Sequence, residues 1–118
     1  MKSKIIHTDG FQFELFFLVD KCQTICSQIF FGGWKNTKSA IRLNSATPHK
    51  AELLTPYIVS KTKYHGFWIR WEDGLVEVGK EGEVTPFLKW KDPQPFDVRY
   101  YGISTGNGAT GSWITEGE

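Results

Sequence analysis

This chain lacks the features that mark membrane proteins and nucleic-acid-binding proteins. Its apolar runs are too short to span a bilayer, so we expect no membrane insertion. The N-terminal segment has no continuous apolar stretch, so we do not expect a signal peptide within it. Charged residues are dispersed and the formal net charge is +1, which argues against nucleic acid as a partner.

Cysteine is scarce as well. The chain has two cysteines, Cys22 and Cys26, and their spacing is not that of a Cys-x-x-Cys redox or zinc pair. In a reducing compartment we expect half-buried thiols. In a secreted protein we expect them oxidised, either to each other or across a dimer interface. The spacing leaves these states open.

A helix is missing where one glycine motif would need it. Gly106-x-Gly108-x-x-Gly111 has the spacing of a dinucleotide-binding turn, which requires a helix after its third glycine. The residues that follow Gly111 favour a short strand instead. We therefore interpret these glycines as a tight loop between two strands, where the backbone can approach a ligand.

Aromatic residues, in contrast, are abundant. We expect a single domain, 1–118, in which aromatics make up 15% of the residues and include five Trp. Most of these rings should fill a core. An excess of Trp also fits sugar binding, because an indole face can stack on the C–H face of a pyranose.

Short apolar runs separated by turn residues predict strands, and no helical periodicity is present. In the run 65–71, Phe67, Ile69 and Trp71 alternate with polar or outward residues, and Asp73-Gly74 predicts the hairpin turn that follows. The pattern predicts an all-β fold, an antiparallel β-sandwich (jelly-roll-like) of about eight or nine short strands. The predicted strands are 11–19, 25–31, 39–43, 65–71, 75–78, 86–90, 97–104 and 112–115.

Several motifs, in order and spacing, resemble one family. They lie at 32–42, 67–74, 78–79, 86–93 and 102–113. Together they resemble the farnesoic acid O-methyltransferase-like (FAMeT-like) domain, and the resemblance covers most of the chain.

The family name implies methyl transfer, but methyltransferases that use S-adenosylmethionine usually have a doubly wound α/β fold, which the strand pattern does not predict. We therefore expect no enzyme. Domains of this type are associated with extracellular, carbohydrate-binding proteins of invertebrates, and a galactose-binding lectin that uses calcium is similar. The resemblance thus implies a secreted lectin for terminal galactose-type sugars.

The chain departs from the family pattern at two places. Family members usually carry Trp after the first glycine of the last motif, where this chain has Asn107. The segment after the first predicted strand is Asp20-Lys21-Cys22, which keeps only the acidic residue of the family pattern. Asn107 therefore becomes a candidate for a specific ligand contact, and the family's ligand preference does not transfer directly.

Strict up-and-down strands would sort the loops into two rims. One rim would hold Asp20, Glu81, Glu83 and Asn107, whose oxygens suit calcium. Thr105 and Thr110 would add hydrogen bonds to sugar hydroxyls beside Asn107. The alternative for each residue is a solvated turn.

The other rim would hold Asn36, Asp73 and Asp92 as a second choice of metal ligands, with Trp34 beside them as a sugar-stacking surface. Turn chemistry explains these three polar residues well: Asp73 precedes Gly74, and Asp92 precedes Pro93. Turn geometry does not explain Trp34.

These observations predict a lectin that binds glycans or glycoproteins with calcium as its cofactor. A small lectin gains avidity by pairing its sites, so we expect a homodimer, formed by edge-strand addition or by a disulfide through Cys22 or Cys26. The alternative is a protein–protein adhesion or structural module without a small ligand.

Overall fold

The structure is a computed structural model that describes residues 2–8, 14–20, 25–44, 48–59, 65–105 and 113–117. These residues form ten strands and one short helix. The elements are β1 (Lys2–Thr8), β2 (Glu14–Asp20), β3 (Cys26–Gly32), α1 (Gly33–Asn36), β4 (Lys38–Leu43), β5 (Ala51–Leu54), β6 (His65–Glu72), β7 (Leu75–Lys80), β8 (Leu88–Lys91), β9 (Val98–Thr105) and β10 (Trp113–Gly117).

The strands form two five-stranded antiparallel sheets. Sheet A has the order β10-β1-β6-β7-β8, and sheet B has the order β5-β4-β3-β2-β9. The predicted all-β, antiparallel sandwich is confirmed. Two strands, β1 and β5, were not predicted.

The core lies between the inward faces of the sheets. Alternation along β6 sends Phe67 and Ile69 inward, as predicted, and both are fully buried. Phe31 of β3 meets Phe67 across the sandwich, with ring centroids 4.5 Å apart. Each such side chain contributes about 1.5–3 kcal/mol by leaving water, so this ring pair holds the sheets together.

One Trp lies outside the core, on the face of β6 opposite to Phe67 and Ile69, as the alternation predicts. Trp68 is on the outer face of sheet A, where its indole covers Gly79 of β7 and its Nε1 donates to the Glu83 carbonyl at 2.7 Å. The Arg70 guanidinium stacks on the same ring, 4.0 Å from its centroid. A side chain at position 79 would displace the indole, which explains glycine there.

The β6–β7 hairpin has the turn that its residues predict. Asp73 has φ 48° and Gly74 has φ 86°, the left-handed values that a tight hairpin of this hand requires. The β3–β4 connection is different. Gly32 at φ 68° leads into α1, a single helical turn that ends at Asn36 with φ 63°.

The two open ends of the sandwich carry different loops. We call one the Asp92 end; it holds Asp20, Asn44, the 48–50 segment, the 72–75 turn and the 92–97 segment. We call the other the Asn36 end. It holds α1, the 55–59 segment, His65, the 80–83 turn and the end of β9 at Thr105.

The predicted grouping of loops into rims is therefore wrong. The 44–56 region was interpreted as a loop, but it contains β5, which pairs with β4 and returns the chain to the Asn36 end. One extra strand reverses the direction of every strand that follows. Each later loop consequently lies at the end opposite to the predicted one.

Candidate functional site

A cleft of about 580 Å³ opens between the two sheets at the Asp92 end. Sheet A supplies one wall, sheet B supplies the floor, and the connecting segments supply the lip. The lining residues are Leu18, Ser27, Trp71, Glu72, Asp73, Gly74, Leu75, Val76, Trp90, Asp92, Pro95, Phe96, Asp97 and Val98. Its volume falls within the usual range of small-molecule sites.

Two indoles form the wall. Trp71 of β6 pairs with Val76 of β7, and Val76 pairs with Trp90 of β8. Cross-strand partners project to the same face of a sheet, so these three side chains form one inward row. Both indoles pack against the core cluster, remain half-buried and line the cleft.

The floor is formed by two cross-strand partners of sheet B, Leu18 and Ser27. Ser27 continues the inward row of Ile29 and Phe31 along β3, and it is only 2% exposed. Within the part of the chain that the structure describes, its Oγ has no hydrogen-bond partner. Burying an unpaired hydroxyl costs about 1–3 kcal/mol, so this group is unusual for a folded protein.

Asp92 fixes the lip. Its side chain is 5% exposed, and its Oδ1 accepts a hydrogen bond from the Gln94 amide at 2.8 Å, which closes the turn before and after Pro93. Its own amide donates to the Gly74 carbonyl at 2.9 Å. A Cβ at Gly74 would lie 2.7 Å from Pro95 Cβ. The hairpin turn and the 92–95 segment are thus tightly packed together.

Acidic residues surround the opening. Glu72, Asp73 and Asp97 are exposed around it, and Asp97 accepts a hydrogen bond from Arg99 Nε at 2.7 Å. Lys91 Nζ donates to the Asp73 carbonyl and not to its carboxylate. Flat apolar surface beside carboxylate acceptors suits a neutral ligand with several hydroxyl groups, because carboxylates accept hydroxyl protons and repel anions.

Comparison with protein-family models matches residues 19–118 to the family described as farnesoic acid O-methyl transferase. The chain belongs to this family. Comparisons with curated proteins and with solved structures gave no match. The predicted resemblance is therefore confirmed, and the matched range includes Ser27, Trp71, Trp90 and Asp92 of the cleft.

The name of this farnesoic acid O-methyl transferase family describes an enzyme, but the architecture is not that of the usual methyltransferase. The described residues form two antiparallel sheets and a four-residue helix. They contain no parallel strand pairs joined by helices, which the doubly wound α/β fold requires. Family membership thus gives a fold here, and the chemistry must be argued from the site.

In this family member, the predicted sugar-binding residues that the structure describes, Thr105 and Trp34, lie at the end of the sandwich opposite the cleft. Asn107 and Thr110 lie outside the described residues. Thr105 ends β9 and pairs with Glu14, and Trp34 lies in α1; both backbone positions are at the Asn36 end. The sequence interpretation had placed Thr105 and Trp34 on different rims, whereas the fold brings them to the same one.

The first predicted set of calcium ligands is not brought together. Asp20 lies at the Asp92 end, where its Oδ1 accepts a hydrogen bond from the Ile25 amide at 2.9 Å. Glu81 and Glu83 lie in the turn after β7, at the Asn36 end. A strand as long as β6 separates the two ends by roughly 20 Å, so these carboxylates cannot share one ion.

The second predicted set is divided as well. Asp73 and Asp92 meet at the cleft, and the turn roles predicted for both are observed. Asn36 is at the other end, where its Nδ2 donates to the Val59 carbonyl at 2.7 Å and its Oδ1 accepts from the Val59 amide at 3.3 Å. Within the described residues, no group of three or more His, Cys, Asp or Glu side chains could hold a metal.

Sequence reasoning missed Ser27, Trp71 and Trp90 as lining residues of the site. A signal was available for Ser27. It is a polar residue at an inward position of a strand whose next inward positions are Ile29 and Phe31, so its hydroxyl had to be buried. The two Trp residues were assigned to the core, which is half correct, because they pack on it and also line the cleft.

A second groove, of about 610 Å³, lies at the Asn36 end. Its polar groups are engaged: His65 Nδ1 donates to the Ile58 carbonyl at 2.7 Å, and the hydroxyls of Ser39 and Thr55, buried nearby, bond to each other at 2.7 Å. Its rim exposes Leu54 and Tyr57. The buried polar side chains named here are therefore bonded within the protein, and the exposed apolar residues lie at the rim.

Two further observations bear on earlier expectations. Cys26 begins β3 as a half-buried free thiol, and burial raises the pKa of this thiol above its ordinary value although Arg42 opposes the shift. Cys22 lies outside the described residues. Across the described ranges, no helix has the length and hydropathy to cross a membrane.

Proposed function

We propose that this domain binds carbohydrate in the cleft at the Asp92 end and does not change it chemically. One observation carries the proposal: a single cleft is lined by two half-buried indoles, Trp71 and Trp90, and by a lip that includes Asp92. Sugar recognition needs an apolar surface for the C–H face of the ring and acceptors for its hydroxyls. The cleft offers both within one cavity.

Terminal galactose-type sugars are the first ligand class to test, because the family resemblance implies them. Calcium assistance is a separate part of the proposal. Among the described residues, no three His, Cys, Asp or Glu side chains are grouped to hold a metal, so we propose that stacking and hydrogen bonds contribute affinity in this cleft. Any calcium ligand from Asn107 would act from the loop that follows Thr105, and chelation tests that part independently.

We also propose a secreted homodimer, in which paired sites raise avidity. Supporting this, β5 is an edge strand of sheet B, and its Leu54 is 76% exposed. An edge strand with apolar side chains is a template for pairing with a second chain. A disulfide through Cys22 or Cys26 remains the other proposed link between protomers.

A second candidate function is a protein-binding module without a small ligand. It is favoured by the apolar residues exposed at the Asn36 end, among them Tyr57 at 82% and Val84 at 86%. Exposed apolar side chains close together are typical of protein interfaces. In that case the groove at the Asn36 end is the functional surface, and the cleft is not.

The primary experiment is a glycan array with calcium, repeated with EDTA. We expect binding to terminal galactose-type glycans, and binding that survives EDTA would assign the affinity to stacking and hydrogen bonds in the cleft. Loss of binding in EDTA would move the site to a calcium centre outside the described residues. Absence of binding in both conditions would favour the protein-binding module.

A matched pair of variants then locates the site. Asp92→Asn keeps an oxygen to accept from Gln94 but removes the carboxylate, and we expect sugar affinity to fall about tenfold. Glu83→Gln makes the equivalent change at the Asn36 end and should leave affinity unchanged. The reverse result would place the site in the turn that holds Glu81 and Glu83.

Methyl transfer is tested directly by titrating the domain with S-adenosylmethionine. The fold has no helix N-terminus next to a parallel sheet edge in its described residues, so we expect no binding in calorimetry. Saturable binding would restore the enzymatic interpretation that the family name suggests.

A further inference from the structure

We infer that Ser27 is the residue that selects among neutral sugars in the cleft, by hydrogen bonding one hydroxyl group of the sugar unit that reaches the floor. The inference rests on the proposed function and names the part of the site that sets its specificity. Ser27 lines the cleft, its side chain is 2% exposed, and its Oγ has no partner among the described residues.

The position of Ser27 explains why its hydroxyl has no protein partner. It is the first inward residue of β3, and both neighbouring strands pair with it there, through Leu18 on one side and Leu43 on the other. These cross-strand neighbours are apolar side chains, which offer no acceptor or donor. Ser27 is also a lining residue of the cleft, so we assign the role of partner to a ligand bound there.

Another buried serine in the same sheet shows that the fold can satisfy such a group. Ser39 of β4 is 0% exposed, and its Oγ is 2.7 Å from Thr55 Oγ1 and accepts from the Gly32 amide at 3.4 Å. Ser27 is equally buried and lacks both kinds of contact. This difference indicates that the Ser27 hydroxyl is the one that bonds a ligand in the cleft.

The chemistry of the group defines the ligand. A hydroxyl both donates and accepts, whereas the lip carboxylates only accept, so Ser27 complements a sugar hydroxyl in either role. Leu18 lies beside Ser27 on the floor, so a hydroxyl that points at Leu18 instead would lose its hydrogen bond. Epimers of one sugar are therefore distinguished here. The acidic lip at the same time disfavours anionic sugars, which makes the ligand unit neutral.

The test uses Ser27→Ala, with Ser39→Ala as a matched control, against the tightest-binding glycan of the array. We expect Ser27→Ala to leave the melting temperature unchanged or raised, because it removes an unpaired buried hydroxyl, and to weaken binding about tenfold. Ser39→Ala should lower the melting temperature, since it leaves Thr55 without its partner, and should keep full affinity.

A series of monodeoxy analogues of that glycan then identifies the hydroxyl involved. For one analogue, wild type and Ser27→Ala should bind equally, because the contact is missing from both complexes. If Ser27→Ala binds the glycan as tightly as wild type while Asp92→Asn binds it weakly, the inference is overturned and the proposed function stands. If Ser27→Ala destabilises the fold as much as Ser39→Ala, the Ser27 hydroxyl has a structural partner and the inference is also overturned. If wild type binds no glycan, the inference about Ser27 and the proposed function are both contradicted.

Discussion

The two ends of the sandwich differ in how a buried serine of sheet B is bonded. At the Asn36 end, Asn36 is bonded to Val59 and Ser39 is bonded to Thr55. At the Asp92 end, Ser27 is buried in the same sheet and its hydroxyl is unpaired beside an open cleft. Because unpaired buried groups destabilise a fold, the contrast separates an end built for stability from an end suited to a ligand.

Of the changes that this comparison suggests, substitution of Asn36 should lower the free energy of unfolding the most. Replacing it by Ala removes two buried hydrogen bonds to Val59 and puts alanine at φ 63°, so we expect a loss of about 3 kcal/mol in unfolding free energy. Asn44 is the matched control. It has φ 51° and accepts from the Cys26 amide at 2.7 Å, but it is exposed, and Asn44→Ala should cost about 1 kcal/mol. Urea unfolding measures both, and equal losses would contradict the stabilising role of burial at Asn36.

A second comparison uses two glycines with the same backbone conformation. Gly74 and Gly82 both have φ 86°, but a Cβ at Gly74 would lie 2.7 Å from Pro95 Cβ, whereas a Cβ at Gly82 would meet nothing within 4 Å. Gly74→Ala should therefore cost about 2–3 kcal/mol and weaken sugar binding by displacing the lip. Gly82→Ala should cost about 1 kcal/mol and leave binding unchanged.

Calorimetric melting and sugar titration on the two glycine variants check this. If Gly74→Ala loses stability but binds sugar normally, the lip is not part of the binding site. The binding site would then consist of the floor residues and the two indoles, without the 72–75 turn.

A smaller effect concerns the Ser39–Thr55 pair. Removing either partner leaves the other buried and unpaired, so Ser39→Ala and Thr55→Val should each cost about 1–2 kcal/mol. The double variant should be less destabilised than the sum of the two, because no unpaired hydroxyl remains. Strictly additive losses in a double-mutant cycle would show that the two hydroxyls do not depend on each other.

The smallest effect lies away from both ends, at exposed Glu52 of β5. Hydrogen bonds from Lys38 and then His49 hold the pKa of this carboxyl below its ordinary value. A lowered folded-state pKa means that the stabilisation is present above the unfolded-state pKa and is lost as pH falls through the folded-state pKa. Glu52→Gln should thus lower stability slightly at neutral pH, and the difference from wild type should vanish as pH falls through the folded-state pKa of Glu52. A destabilisation that stays the same at acid pH and ignores salt would contradict this.

The sequence predicted the features that local chemistry determines. Asp73-Gly74 gave the right turn, because the positive φ of both residues is a property of the residues themselves. Phe67 and Ile69 gave the right inward face of β6, since alternation needs only neighbouring residues. The family resemblance gave the right family over residues 19–118.

The sequence did not predict the features that depend on pairing between strands distant in the chain. β5 is four residues long, Ala51-Glu52-Leu53-Leu54, and as an edge strand it has no alternation of burial that a sequence pattern could display. Because β5 was not predicted, every later strand was expected to run in the opposite direction. This error grouped Asp20 with Glu81 at one end of the sandwich. Ser27 was missed for a related reason, because its significance depends on what Leu18 and Leu43 leave unpaired around it.

The close packing at Gly74 has a consequence for the thermodynamics of binding. The Asp92 amide bonds to the Gly74 carbonyl, Asp92 Oδ1 bonds to the Gln94 amide, and Pro95 packs on the turn, so contacts within the protein already order the lip in the absence of a ligand. A sugar that enters the cleft does not have to order a loop, and the conformational entropy lost on binding is mainly that of the sugar itself. The affinity of a single cleft then depends on the rigidity of the glycan, and a constrained oligosaccharide should bind more tightly than a flexible one with the same terminal unit.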